Sequence, residues 1–146
     1  MSTIHALENE IESGLISWIA NTAVHAVDMS RFSVRREEQD DSTALTLPAI
    51  VLKLERETED PQPLVGIWRI RATVTMHQQA DDTSTAQIEQ NWNDLLAVLY
   101  WDDLATRLTT STLKVYAVRY DAAATREHEE RHWRHQLSFS LWACAL

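Results

Sequence analysis

The chain has 146 residues, 45% of them hydrophobic, which is typical of one folded domain spanning residues 1–146. Its net charge of −9 excludes the basic balance of proteins that grip nucleic acid, and no apolar run approaches the ~20 residues of a membrane-spanning helix. Only two glycines occur, Gly14 and Gly66, which excludes Gly-rich phosphate loops and the nucleophile elbow of α/β-hydrolases.

Residues 3–25 are predicted to form an amphipathic helix. Glutamates at positions 8, 10 and 12 lie in its N-terminal half, where the helix dipole favours negative charge. Gly14 weakens the helix interior. Apolar side chains recur at steps of three and four and so share one stripe: Ile4, Leu7, Ile11, Leu15, Trp18 and Ile19.

Residues 28–47 give a weaker pattern. The alternation at 31–35 is compatible with a short strand. The polar, charged stretch near 36–46 is predicted to be a mobile acidic loop, with a segment that becomes ordered against a partner as the alternative.

Two strands at 49–57 and 65–77 are predicted to form an antiparallel hairpin, with a turn at Asp60-Pro61-Gln62-Pro63 between them. Alternation in the second strand separates an apolar face, which begins at Trp68 and Ile70, from a polar face with Arg69 and Arg71.

A second helix is predicted from about Ser84, followed by a short turn through Leu108 that Asp102 and Asp103 cap. A strand at 113–120 places Leu113, Val115 and Ala117 opposite Lys114, Tyr116, Val118 and Tyr120. A last strand runs over 132–145. The predicted fold is α+β: a four-stranded, mainly antiparallel sheet with two amphipathic helices packed on one face.

Residues 128–132 spell His-Glu-Glu-Arg-His, which matches the H-E-x-x-H zinc motif. Zinc chemistry needs this motif on a helix, because in a strand positions i and i+4 lie about 13 Å apart. Alternating Leu137, Phe139 and Leu141 favour a strand from Trp133 onward, with a helical turn at 125–131 left open. We therefore expect no catalytic residue, no metal site, no cofactor and no enzyme.

A weaker role for the histidines is left open by this interpretation. His128, His132 and His135 would form an incidental surface metal site or respond to pH near 6.5. The carboxylate pairs at 40–41, 81–82 and 102–103 are interpreted as solvated caps, not as acid–base dyads.

The end of the last strand is apolar on both faces, because Trp142, Cys144 and Leu146 alternate with Leu141 and Ala143. One layer of helices covers only one face, so we expect Trp142, Cys144 and Leu146 to contact a neighbouring subunit. Arg69 and Arg71 are expected at the same interface, opposite the acidic residues 37–41 of the neighbour, although a plain solvated face is an equal alternative.

The layout resembles the tail terminator (tail completion) proteins of long-tailed bacteriophages. An N-terminal helix at 3–25 precedes Leu-Pro-Ala-Ile-Val at 47–51 and the long strand at 68–76. Trp-Asn-Asp-Leu-Leu at 92–96 and a closing strand at 134–141 follow. The resemblance covers most of the chain, in order and length of elements and not in any diagnostic residue.

The resemblance implies a homo-oligomeric ring, usually of six copies, that caps the tail tube at the head-proximal end of the virion. Such a ring ends tail elongation, binds the tail tube protein and the head-completion or connector proteins, and is assembled in the host cytoplasm. DNA passes through its lumen without specific binding, which an acidic wall would favour. The alternatives are a small zinc-dependent hydrolase using residues 128–132 and a related tail-tube or head–tail connector subunit.

Overall fold

The computed structural model describes residues 3–36, 48–56, 67–79, 85–121, 125–129 and 132–145. The helices are α1 (Thr3–Ile19), α2 (Thr22–His25), α3 (Thr85–Leu99) and α4 (Leu104–Leu108). The strands are β1 (Ser33–Arg36), β2 (Ala49–Arg56), β3 (Trp68–Gln79), β4 (Leu113–Tyr120), β5 (Thr125–Glu129) and β6 (His132–Ala145). The acidic loop predicted near 36–46 lies, apart from Arg36, outside the described residues, as does Leu146.

The strands form one open sheet in the order β1-β2-β3-β6-β4, and β5 also pairs with β6. All pairs are antiparallel except β1–β2, which is parallel. The α+β class and the mainly antiparallel sheet are confirmed, whereas the number of four strands is wrong. The additional strands, β1 and β5, are short and polar, so their alternation was too weak to predict them firmly.

The predicted single helix over 3–25 is divided into α1 and α2. Helix α1 ends at Ile19 and α2 begins at Thr22. Ala26, which follows α2, has a left-handed backbone conformation with φ 62°. The His25 ring satisfies the end of α1: Val27 N donates to His25 Nδ1 (3.0 Å), so Nε2 carries the proton and donates to Ile19 O (2.9 Å). The His25 side chain thus supplies the hydrogen bond to Ile19 O that a further turn of α1 would otherwise supply.

The core lies between the helices and one face of the sheet. Trp18 ties α1 to α3 through a hydrogen bond from its Nε1 to Val98 O (2.9 Å). The described members of the apolar stripes predicted for both helices and for β3 are buried or half-buried there. Full burial of such side chains contributes roughly 1.5–3 kcal/mol each. Members with no measurable exposure include Ile11, Leu15, Ile50, Leu52, Ile70, Val74, Leu95, Leu99, Leu137, Phe139 and Leu141.

Strand β4 changes phase in its middle. Its pairing with β6 shifts between Val115 and Ala117, a β-bulge that adds one residue to the strand. Leu113 and Val115 are buried, but beyond the bulge Val118 and Tyr120 pack on the core and Ala117 is exposed. The prediction that Ala117 shares a face with Leu113 and Val115 is therefore wrong, because the inserted residue reverses the alternation.

Helix α4 begins where the sequence predicts it. Asp103 occupies the N-cap position, but its side chain makes no capping hydrogen bond and instead approaches Arg107 Nε at 3.5 Å. The residues expected to cap α3, around Ser84, lie outside the described part of the chain.

Candidate functional site: the open face of the sheet

No helix among the described residues packs on one face of the sheet, whereas α1, α3 and α4 contribute to the core on the other side. We call this surface the open face. It is lined mainly by Thr, Ser, Gln and basic side chains. Its described members include Ser33, Arg35, Ala49, Val51, Lys53, Glu55, Arg69, Arg71, Thr73, Thr75, His77, Gln79, Lys114, Tyr116, Ala117, Arg119, Asp121, Thr125, His132, Arg134, Gln136, Ser138, Ser140, Trp142 and Cys144.

Four of the five residues predicted for an interface lie on this face, while Leu146 falls outside the described residues. Arg69 and Trp142 are cross-strand partners, with the guanidinium carbon 5.7 Å from the ring centre. An aromatic face attracts a cation at this distance. Trp142 is partly buried, so part of its side chain remains accessible for contact.

Arg71 forms an ion pair within the chain. Its Nη2 lies 2.5 Å from Asp121 Oδ2, and the two side chains are 41% and 36% exposed. Such a solvent-accessible pair contributes about 0–1 kcal/mol. Arg71 is therefore bound to its own chain in the structure, whereas the sequence hypothesis paired it with a neighbour.

Cys144 extends the Trp142 region toward the edge strand β4. Its Sγ lies 3.5 Å from the hydroxyl of Tyr116, a side chain that is 52% exposed. This hydrogen bond raises the pKa of the Tyr116 phenol. Lys114 Nζ lies 5.7 Å from the same ring. Sequence reasoning placed Tyr116 on the face opposite Leu113 and Val115, which is the signal for its exposure, but did not assign it to the interface.

The open face is basic although the chain is acidic. Its described members include the carboxylates of Glu55 and Asp121 against seven cationic side chains: Arg35, Lys53, Arg69, Arg71, Lys114, Arg119 and Arg134. Several acidic side chains lie on the helices or in their connections, among them Glu10, Asp28, Glu89, Asp94, Asp102 and Asp103. The net charge of the chain does not reveal that its basic and acidic side chains lie on different surfaces.

The H-E-x-x-H motif lies across a β-hairpin. Its first two residues end β5, its last residue begins β6, and Glu129 is the cross-strand partner of His132. No helix forms at this position, so the spacing that a zinc-binding helix provides is missing. The strand interpretation is confirmed, and it includes the segment 125–129 for which a helical turn had been left open.

The hypothesis of a metal site formed by His128, His132 and His135 is wrong. His135 is fully buried on the core side, where its ring stacks on Trp92 with a centroid distance of 5.0 Å. His132 lies on the open face, because residues three positions apart in a strand point to opposite sides. Within the described ranges, no three His, Cys, Asp or Glu residues form a group suited to a metal ion.

His132 instead contacts His77. His77 Nδ1 and His132 Nε2 are 2.7 Å apart, so one ring donates a hydrogen bond and the other accepts it. Burial is the main cause that lowers the pKa of His77, and the neighbouring charges of His132 and Arg134 lower it further. The pair favours the neutral form of the His77 ring.

A concavity of about 750 Å³ lies away from the open face, between α1 and the α4–β4 connection. The side chain of Trp18 contributes to it, and Arg107 lies 5.8 Å from that ring. Its described lining is dominated by hydroxyl and amide groups, including Asn9, Ser13, Ser17, Asn21, Thr106, Thr110, Ser111 and Thr112, and contains neither histidine nor cysteine. Thr112 Oγ1 donates a hydrogen bond to Glu10 Oε2 within this lining, at 3.0 Å.

Comparison with known proteins gives no relative from which a role can be carried over: no family model and no curated protein matches the chain. Among the helices of the described residues, none combines the length and apolar character needed to cross a membrane.

Proposed function

We propose that this chain is a structural subunit of a bacteriophage tail: a terminator that assembles as a ring of six copies and caps the tail tube at its head-proximal end. It ends tail elongation, joins the tube protein to the head-completion or connector proteins, and performs no catalysis. The observation that carries the proposal is the open face, where the partly buried Trp142 lies beside Arg69 on a surface that none of the described helices covers.

The charge of this face supports an orientation within the ring. DNA that slides through a lumen must not be held there, and the seven cations of the open face would attract phosphate. The open face is therefore proposed to contact neighbouring protein, and the acidic remainder of the surface to line the lumen. The protein would then touch DNA without gripping it.

The separation of charge also suits a ring. A closed ring of more than two copies uses a head-to-tail interface, in which two different surfaces of each subunit meet. A basic face on one copy and an acidic surface on the next are complementary, whereas two basic faces in a symmetric dimer would repel. Tryptophan and arginine are the side chains most enriched among residues that dominate binding energy.

The test is whether the protein forms rings through the open face. Mass measurement in solution and negative-stain images, with and without isolated tail tubes, should show closed rings for the wild-type chain. Trp142→Ala should weaken assembly by about tenfold or more, corresponding to the loss of a side chain that contributes at least ~1.4 kcal/mol. Val24→Ser, which changes an exposed apolar side chain on α2 away from the open face, is the matched control and should assemble normally.

A wild-type chain that stays monomeric even when mixed with tail tubes would contradict the proposal. Tail length in the assembled phage separates the related alternatives. Without a terminator, tails grow beyond normal length or fail to join heads. Without a tube subunit, no tails form, and without a connector, tails of normal length remain unattached. A zinc hydrolase would retain stoichiometric zinc after purification and lose activity on Glu129→Gln, but its motif lacks the required helix.

A further inference from the structure

The contact between His77 and His132 joins the two central strands of the sheet near the end of their ladder. The residues are diagonal neighbours, because His77 pairs with Arg134 and Gln79 pairs with His132. Both rings are half-buried on the open face, with centroids 4.9 Å apart and planes inclined at 61°. Their facing nitrogens, Nδ1 of His77 and Nε2 of His132, are separated by 2.7 Å.

This separation is close to the spacing of two imidazole ligands on one metal ion. Imidazole nitrogens bind such ions at about 2.0–2.1 Å. Two of them lie ~2.9 Å apart when the angle at the metal is 90° and ~3.3 Å apart when it is tetrahedral. The observed pair needs to open by roughly 0.2 Å for the first geometry but by roughly 0.6 Å for the second. The strands therefore already bring the two nitrogens close to the separation that a right-angle site needs.

We propose that His77 and His132 form a two-histidine site for Ni²⁺ or Cu²⁺, ions that accept cis ligands at 90°, and that the bound ion clips β3 to β6. Rotation of the two rings would exchange their mutual hydrogen bond for two metal–nitrogen bonds, with water in the remaining positions. The site lies on the same open face as the proposed ring interface, but at the opposite end of β3 and β6 from Arg69 and Trp142.

The surroundings set the strength of the site. Arg134, the cross-strand partner of His77, is exposed and adds positive charge beside the ion, which weakens binding. Two protein ligands also leave most of the coordination shell to water. Binding should therefore be reversible and removable by a chelator, unlike that of a closed structural zinc site.

Titration calorimetry of the full chain with NiCl₂ tests the proposal. Wild-type protein should show a site that His77→Gln and His132→Gln each weaken by about tenfold or more, since loss of a supporting group alone already costs 10–100-fold in metal affinity. The double variant should bind no more weakly than either single variant, because either change already destroys the chelate. His128→Gln, which alters the H-E-x-x-H motif but not this pair, is the matched control and should bind as wild type does.

Thermal unfolding provides a second measurement that also reveals variants with damaged folds. Ni²⁺ should raise the Tm of the wild-type protein and of His128→Gln, EDTA should reverse the increase, and neither His77→Gln nor His132→Gln should respond. Equal nickel affinity in wild type and His77→Gln would overturn the proposal. So would a loss of binding in His128→Gln that His77→Gln does not share, because the ion would then belong to the sequence motif.

Discussion

A buried amide pair between the sheet and α3 allows a sharp test of the packing. Gln78 and Asn91 are 1% and 3% exposed, and Asn91 Nδ2 donates to Gln78 Oε1 at 2.8 Å. Gln78 Nε2 in turn donates to Ile88 O at 3.1 Å. The substitution Gln78→Met keeps an unbranched side chain of similar length but leaves the Asn91 donor buried without this acceptor. We expect a loss of about 1–3 kcal/mol in the free energy of unfolding.

The second half of the cycle separates hydrogen bonding from shape. Asn91→Leu alone leaves the buried Gln78 side chain without its Asn91 donor. It also removes the acceptor for Arg31 Nε (2.9 Å) and Gln87 Nε2 (2.7 Å). The double variant, Gln78→Met with Asn91→Leu, removes both buried amides, so its loss should be smaller than the sum of the single losses by about 1 kcal/mol or more. Urea unfolding followed by tryptophan fluorescence measures all three. A Gln78→Met loss below ~0.5 kcal/mol, or strict additivity, would refute the reasoning.

Three further outcomes are expected. Gly14→Ala should stabilise the protein by about 0.5–1 kcal/mol, measured as a higher urea midpoint, because alanine favours the helix interior and its methyl would lie 3.4 Å from Leu108 Cδ2, an ordinary contact; a lower midpoint would show that this contact is strained. Phe139→Ala should cost about 3–5 kcal/mol in calorimetric unfolding, since the ring is fully buried, and a loss under ~1 kcal/mol would contradict its place in the core. The lowered pKa of His77 means that the unfolded chain binds protons first, so its contribution is present above about pH 6.5 and is lost as pH falls through the folded-state pKa; with chelator present, the pH dependence of the urea midpoint between pH 7.5 and 5 should be shallower in His77→Gln.

Periodicity predicted the parts of this fold in which one side of an element is strongly apolar. The buried positions of β3 and the strand character of residues from Trp133 onward follow directly from alternation. Alternation and helical periodicity did not predict the break after Ile19. The hydrogen bond from the His25 ring that satisfies this helix end leaves no mark in the pattern of apolar residues. The β4 bulge has the same origin: one inserted residue changes every later orientation without changing composition.

The interaction face was predicted only in part. Alternation alone placed Arg69 and Trp142 on the non-core side of their strands, but it could not reveal that they are cross-strand partners, since register depends on tertiary pairing. The contact between His77 and His132 joins residues 55 positions apart and was equally inaccessible. A five-letter motif drew attention to His132 for the wrong chemistry, and the strand topology supplied a different neighbour.

The position of β6 has a consequence for how the molecule is made. This strand comes last among the described elements, yet it lies between β3 and β4 in the sheet, and its pairing joins residues as far apart as Trp68 and Ala143. During synthesis, the edge of β3 that pairs with β6 therefore stays unpaired until β6 leaves the ribosome. Chains interrupted before β6 would present that edge to one another, so we expect nascent or truncated forms to depend on chaperones far more than the finished protein does.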